Sequence, residues 1–169
     1  EANLYRAMEQ LSHKNYKQVV KSVETSKEWP ENLGVGKPYD NMIDNRLEDY
    51  LEAKAAAGQG DSRKTSALLA AVADYTISRS HFESGNPLSA LALRESGKVQ
   101  EADHMGAAWS TDFPENRVVQ WCTAIYRGEK EKAVGMLQSR NDQTNTTPWE
   151  ASFRDSNFDL IVRLFSTEQ

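Results

Sequence analysis

Apolar residues recur three and four positions apart along most of the chain. Leu4, Ala7, Met8 and Leu11 share one face, which predicts a helix over residues 2–13. Asn15-Tyr16 makes a turn, and Val19, Val20 and Val23 line a second helix that ends near Trp29. Pro30 stops it, because proline lacks an amide donor and disfavours helix at the residue before it. Residues 31–41 carry Gly34, Gly36 and Pro38 without periodicity and read as a loop. Asp44 caps the next helix, whose face is Leu47, Tyr50, Leu51 and Ala55, and Gly58-Gln59-Gly60 ends it. Asp61 caps a helix carrying Ala67, Leu68, Ala71, Val72 and Tyr75.

The same pattern continues past the polar stretch 78–86. Asn86-Pro87 starts a helix, with asparagine as cap and proline in the first turn, and Gly97 closes it. Val99, Ala102, Met105, Gly106 and Trp109 make the next face, and Pro114 ends that unit. Val118, Val119, Cys122, Ile125 and Tyr126 precede Gly128, and Ala133, Met136 and Leu137 follow it. After a polar connector, Thr147-Pro148-Trp149-Glu150 has the form of a capping box, and 156–159 starts a last helix through Leu160, Ile161, Leu164 and Phe165. Alternating, β-branched runs are missing, so the expected fold class is all-α.

One string occurs twice. Trp29-Pro30-Glu31-Asn32 returns as Phe113-Pro114-Glu115-Asn116, 84 residues later. Turns at Lys14, Gly58, Gly97 and Gly128 are spaced by 44, 39 and 31 residues, which brackets a period of about 34. The clearest unit runs from Pro87 to Pro114, with small Ala90, turn Gly97, small Ala102 and terminator Pro114. It resembles the tetratricopeptide pattern. It departs from it at Gly106, where that pattern prefers a large aromatic, and at Trp109, where it prefers alanine. The expectation is a stack of antiparallel helix hairpins forming an α-α superhelix.

A narrower resemblance rests on Pro30-Glu31-Asn32-Leu33-Gly34-Val35-Gly36-Lys37-Pro38, followed by Arg46-Leu47-Glu48-Asp49-Tyr50, and on the leucine- and alanine-rich 88–97. These stretches are similar to the helical-repeat part of large bacterial proteins. In those, a domain of unknown function with a sugar-mutarotase-like β-sandwich precedes tetratricopeptide repeats. The resemblance implies one helical-repeat domain over 1–169, a fragment of a longer carbohydrate-related polypeptide. Its repeat-like part would be about 1–140 and its C-terminal helices 147–166. The parent would be periplasmic or extracellular if it carries a signal peptide, and cytoplasmic otherwise. No catalytic residue carries over.

Composition narrows the function. Hydrophobic residues are 38 % of the 169, and the net charge is −5 with a pI near 5.3. An acidic chain without a basic stripe is a poor nucleic-acid binder. No apolar run reaches the length of a membrane span. One cysteine excludes an intrachain disulfide and a cysteine-rich metal site. His13, His81 and His104 lack metal-ligand spacing, so no metal and no cofactor are expected.

Several motifs invite chemistry and fall short. Gly34-Val35-Gly36-Lys37 follows a helix, and Pro38 stands where a phosphate loop needs Ser or Thr. Glu48 and Glu52 lie one turn apart beside Asp49, a spacing common on solvated helices as well as in glycosidase pairs. Ser84-Gly85 lacks the frame of a nucleophile elbow. Cys122 sits in an apolar helix as an inert thiol. Trp29, Trp109 and Trp121 fill helix faces, which leaves Trp149 as the exposed tryptophan.

The reading is therefore a noncatalytic scaffold for a protein partner or a neighbouring domain of the same chain. The alternative is a carbohydrate-binding groove, or part of a glycoside hydrolase, with an oligosaccharide as ligand. In stacked hairpins the first helices line the concave face. By that analogy Tyr5, Arg6, Arg46, Asp49, Tyr50, Arg94, Arg117 and Trp149 are the candidate binding residues.

Overall fold

The computed structural model describes residues 1–28, 43–79, 82–141 and 157–167. Nine helices lie within them: α1 (Ala2–Ser12), α2 (Tyr16–Lys27), α3 (Arg46–Gly58), α4 (Ser62–Ile77), α5 (Asn86–Glu95), α6 (Val99–Asp112), α7 (Arg117–Arg127), α8 (Lys130–Asn141) and α9 (Phe158–Thr167). The described residues contain no strand, so the fold is all-α.

Local chemistry sets the helix ends. Asp61 accepts the Lys64 N–H at 2.9 Å and caps α4. Asn116 does the same for α7 through the Val119 N–H at 3.0 Å. Gly128 takes a left-handed conformation, φ 73°, and closes α7 so that α8 can turn back. Three expected ends shift slightly. The second helix stops at Lys27, before Trp29, and Glu28 is already extended. Asn45 holds the cap position of α3, yet the Asp44 carboxylate still accepts the Arg46 N–H at 3.0 Å. Asn86 is the first residue of α5, with Gly85 as cap, because the asparagine amide is engaged elsewhere. The expected roles of Pro30, of the Gly34–Lys37 loop and of the box at 147–150 lie outside the described residues.

Short turns join α1 to α2, α3 to α4, α5 to α6 and α7 to α8, and each of these pairs packs together as a hairpin. Each hairpin packs on the next, α2 on α3, α4 on α5 and α6 on α7. The first helices also form their own row, α1 on α3, α3 on α5 and α5 on α7. Small side chains permit the close approaches: Ala53, Ala55, Ala90, Ala92 and Ala102 have no exposed surface. Gly106 serves the same end. A Cβ there would lie 2.9 Å from the Tyr126 ring. The aromatic volume missing at position 106 is thus filled by Tyr126 of the next hairpin, with Trp109 edge-on to it at 6.2 Å.

One apolar core runs through all nine helices. Ion pairs bind its edges. Lys27 of α2 reaches Asp49 at 2.7 Å and Glu52 at 3.2 Å on α3, and Glu52 also meets Lys64 of α4 at 2.8 Å.

Candidate functional site

Arg46 opens α3, and Tyr75 and Thr76 end α4 on the same side. The guanidinium forks onto Asp44, with Nε to Oδ1 at 2.9 Å and the second terminal nitrogen to Oδ2 at 2.8 Å. That nitrogen also donates to Glu83, and the other one donates to Thr76 Oγ1 at 2.9 Å and Asn86 Oδ1 at 2.8 Å. The charge lies 4.5 Å from the Tyr75 ring centre, and Arg79 stacks on that ring at 3.5 Å. Gly85 has no side chain because a Cβ would meet the guanidinium at 2.7 Å. Burial pulls the Arg46 pKa down, but Asp44 and Glu83 outweigh it, and the net shift is upward. This corrects the expectation of Arg46 as a groove residue: it is 2 % exposed and fully engaged. Its work is to lock α3, α4 and the start of α5 together.

The remaining candidates divide. Tyr50 and Arg94 come together on the first-helix face, around a hollow of about 270 Å³. Lys54, Leu91, Glu95, Tyr126, Arg127, Lys130 and Phe165 are among the residues of its walls. Tyr50 is itself buried and donates its phenol to Glu95 at 2.8 Å, and Lys54 pairs with the same carboxylate at 3.0 Å. Arg94 lies 4.1 Å over the Tyr126 ring, whose hydroxyl donates to Asp103 at 2.5 Å. Tyr5 and Arg6 border a second hollow, of about 480 Å³, between α1 and Arg163 of α9. Asp49 is committed to Lys27. Arg117 begins α7, half-buried and away from both hollows. Trp149 lies outside the described residues.

Sequence reasoning missed Lys54, Glu95, Arg127 and Lys130. A signal existed: Tyr50 and Lys54 on α3, and Leu91 and Glu95 on α5, each stand four apart and share a face. Four cations thus surround one carboxylate, in a chain whose net charge is −5.

The first-helix face is not bare. Helix α9 lies on it, against α1 and α7. Phe158, Leu160, Ile161 and Leu164 are all at most 3 % exposed. Phe158 meets the Trp121 ring edge-on at 5.5 Å, and Phe165 meets it at 6.5 Å. Leu164 borders a further hollow, of about 280 Å³, with Met8, Leu11 and Lys54. Trp121 is 1 % exposed, and its indole N–H has no hydrogen-bond partner among the described residues. Ten residues are too few for a stable isolated helix, so α9 owes its helicity to this seat.

No protein-family model, curated protein or solved structure matches this chain.

The carboxylate pair on α3 is pulled apart in pKa. Burial, helped by Asp44 and Asp49, raises Glu48, and its Oε2 is buried with no hydrogen-bond partner among the described residues. Glu52 is lowered, because Lys64 and Lys27 outweigh the effect of its burial. Such a split suits an acid and a base, but both oxygens of Glu52 are held by lysines and offer no face to a substrate. Among the described residues no cluster of His, Cys, Asp and Glu could hold a metal, and no helix is long and apolar enough to cross a membrane. Cys122 is buried. His81 lies outside the described residues, and His13 contacts the Glu9 carbonyl of its own helix at 2.9 Å.

Proposed function

We propose that the chain is a noncatalytic, tetratricopeptide-like scaffold whose first-helix face is concave and holds a helical segment of a partner protein or neighbouring domain. The observation that carries this reading is α9 itself. A short amphipathic helix already lies across α1 and α7 with its apolar side down. A face that seats one helix in this way has the shape and chemistry to seat another. The resemblance noted above would put the scaffold within a carbohydrate-related bacterial polypeptide.

An oligosaccharide site has less support. Sugar recognition of the expected kind needs open aromatic faces; among the described residues Tyr50, Trp109 and Trp121 are each at most 6 % exposed, and Tyr5 alone of the described candidate rings is open, at 44 %.

The test is selection of displayed peptides on the immobilised chain, repeated on Lys54→Glu/Arg94→Glu. The expected result is enrichment of amphipathic sequences on the native chain and its loss on the charge-reversed one. Failure to enrich any peptide, or equal enrichment on both, removes the reading. A fluorescence response to millimolar oligosaccharide would replace it with the sugar site.

A further inference from the structure

The apolar seat beneath α9 is filled, yet it leaves one polar group unmet. The Trp121 N–H is buried there against Phe158 and Phe165 without an acceptor among the described residues, so the resident helix leaves a donor unsatisfied. Phe165 is also the one residue of α9 that lines the adjacent cationic hollow, which continues past it between Lys54, Arg94, Arg127 and Lys130. The apolar seat therefore runs into an open, positively charged extension. That extension lies on the side of α9 where a helix presents its free carbonyls and the negative end of its dipole.

We propose that this seat and its extension form one recognition site for an amphipathic helix of a partner protein that continues into acidic residues, with α9 as the chain's own competitor. The proposal rests on the scaffold reading and names its ligand. Apolar residues of the incoming helix replace Phe158, Ile161 and Leu164. Its acidic end meets the four cations; among the described residues Lys54 pairs with Glu95, and Arg127 acts on the exposed Glu129. Binding requires α9 to leave, so apparent affinity is reduced by the fraction of time α9 is seated. The ligand cannot be a basic helix, because the extension would repel it.

The probe is a fluorescent peptide with the sequence of residues 157–167 extended by two glutamates, and its twin extended by two lysines. Anisotropy is measured on the full chain and on full-chain Ile161→Asp/Leu164→Asp, whose α9 cannot seat. The glutamate peptide should bind the variant about tenfold more tightly than the native chain. The lysine twin should bind several-fold more weakly. Equal affinity for both chains, absence of binding to a variant with native-like helical dichroism, or indifference to the added charges would overturn the proposal. If the variant fails to fold, hydrogen exchange on the native chain decides. Amides of α9 that exchange well before those of α3 and α5 support a displaceable helix. Protection equal to α3 makes α9 a fixed layer and sinks the idea. A native dimer that exchanges α9 between copies would make the second copy the occupant, against the proposal. Peptides enriched by display that survive when this probe fails would keep the scaffold and remove only this ligand.

Discussion

Arg46 and Arg94 each lie over a tyrosine ring, and their surroundings differ in one respect. Arg46 lies by Tyr75 with Gly85 beneath it, and Arg94 lies by Tyr126, whose ring covers Gly106. Around Arg46 every direction is filled by Asp44, Glu83, Thr76 and Asn86. Around Arg94 one side opens onto a hollow shared with Arg127 and Lys130. The same residue pair is mortar in one place and rim in the other. Burial with complete hydrogen bonding marks structure, and charge facing unfilled space marks a site able to bind.

Arg46→Met is the severest way to test the first half of that contrast. It leaves Asp44 and Glu83 facing each other, and Asn86 without its donor. Removing one member of a buried charge network costs about 3 kcal/mol or more. The expected result is a large drop in the urea midpoint. A change below 1 kcal/mol would mean the network is decorative and the two arginines are alike.

Gly106→Ala comes next and tests how tightly the second pair is built. The added methyl would meet the Tyr126 ring at 2.9 Å, and that ring is held by Asp103 on one side and Trp109 on another. Overpacking of this kind costs about 1–3 kcal/mol. Tyr126→Leu in the same background should recover part of the loss. If Gly106→Ala is neutral, α6 and α7 have slack between them.

The contrast between satisfied and unsatisfied groups recurs along α3, at Glu52 and Glu48. Glu52 has a lowered pKa, so its stabilisation is present above its unfolded value and fades as pH falls through the folded one. Glu52→Gln should therefore lower the Tm at pH 7, with an effect of about 1 kcal/mol, and match the native chain at acid pH. Glu48 has a raised pKa, so the native chain gains stability from it only as pH falls through that raised value. Glu48→Gln should raise the Tm at pH 7, and the gain should shrink as pH approaches the ordinary carboxylate range. Tm against pH for both variants gives curves of opposite sign. Curves of the same sign would mean that Glu48 has found a partner.

Much of the helical order was legible in the sequence because periodicity and caps are local properties. Asp61, Gly97 and Gly128 stand at the ends expected of them. Arg46 was misplaced for a physical reason. Asp44 is a near neighbour, but its other acceptors, on Thr76, Glu83 and Asn86, sit 30 to 40 positions away, and no local pattern reveals a cation about to be buried. The cationic hollow was half legible. Tyr50 and Arg94 were found by their place on first helices, while Lys130 begins a second helix and so fell outside that rule. The seating of α9 was invisible, since an amphipathic helix shows that it needs a surface and not which one.

Arg94→Ala is the mildest change and the sharpest on the contrast. Its stacking on Tyr126 is partly exposed, so the stability loss should be about 0.5 kcal/mol. Its effect on the glutamate-extended peptide should be larger, a several-fold weakening, because that ligand meets the charge directly. Arg94→Lys separates the two contributions: it keeps the charge and loses the planar stack. If lysine restores peptide binding while leaving the small stability loss, Arg94 acts on the ligand through charge and on the fold through its ring contact. If lysine restores neither, the stacked geometry holds the hollow open, and Arg94 belongs with Arg46 as part of the frame.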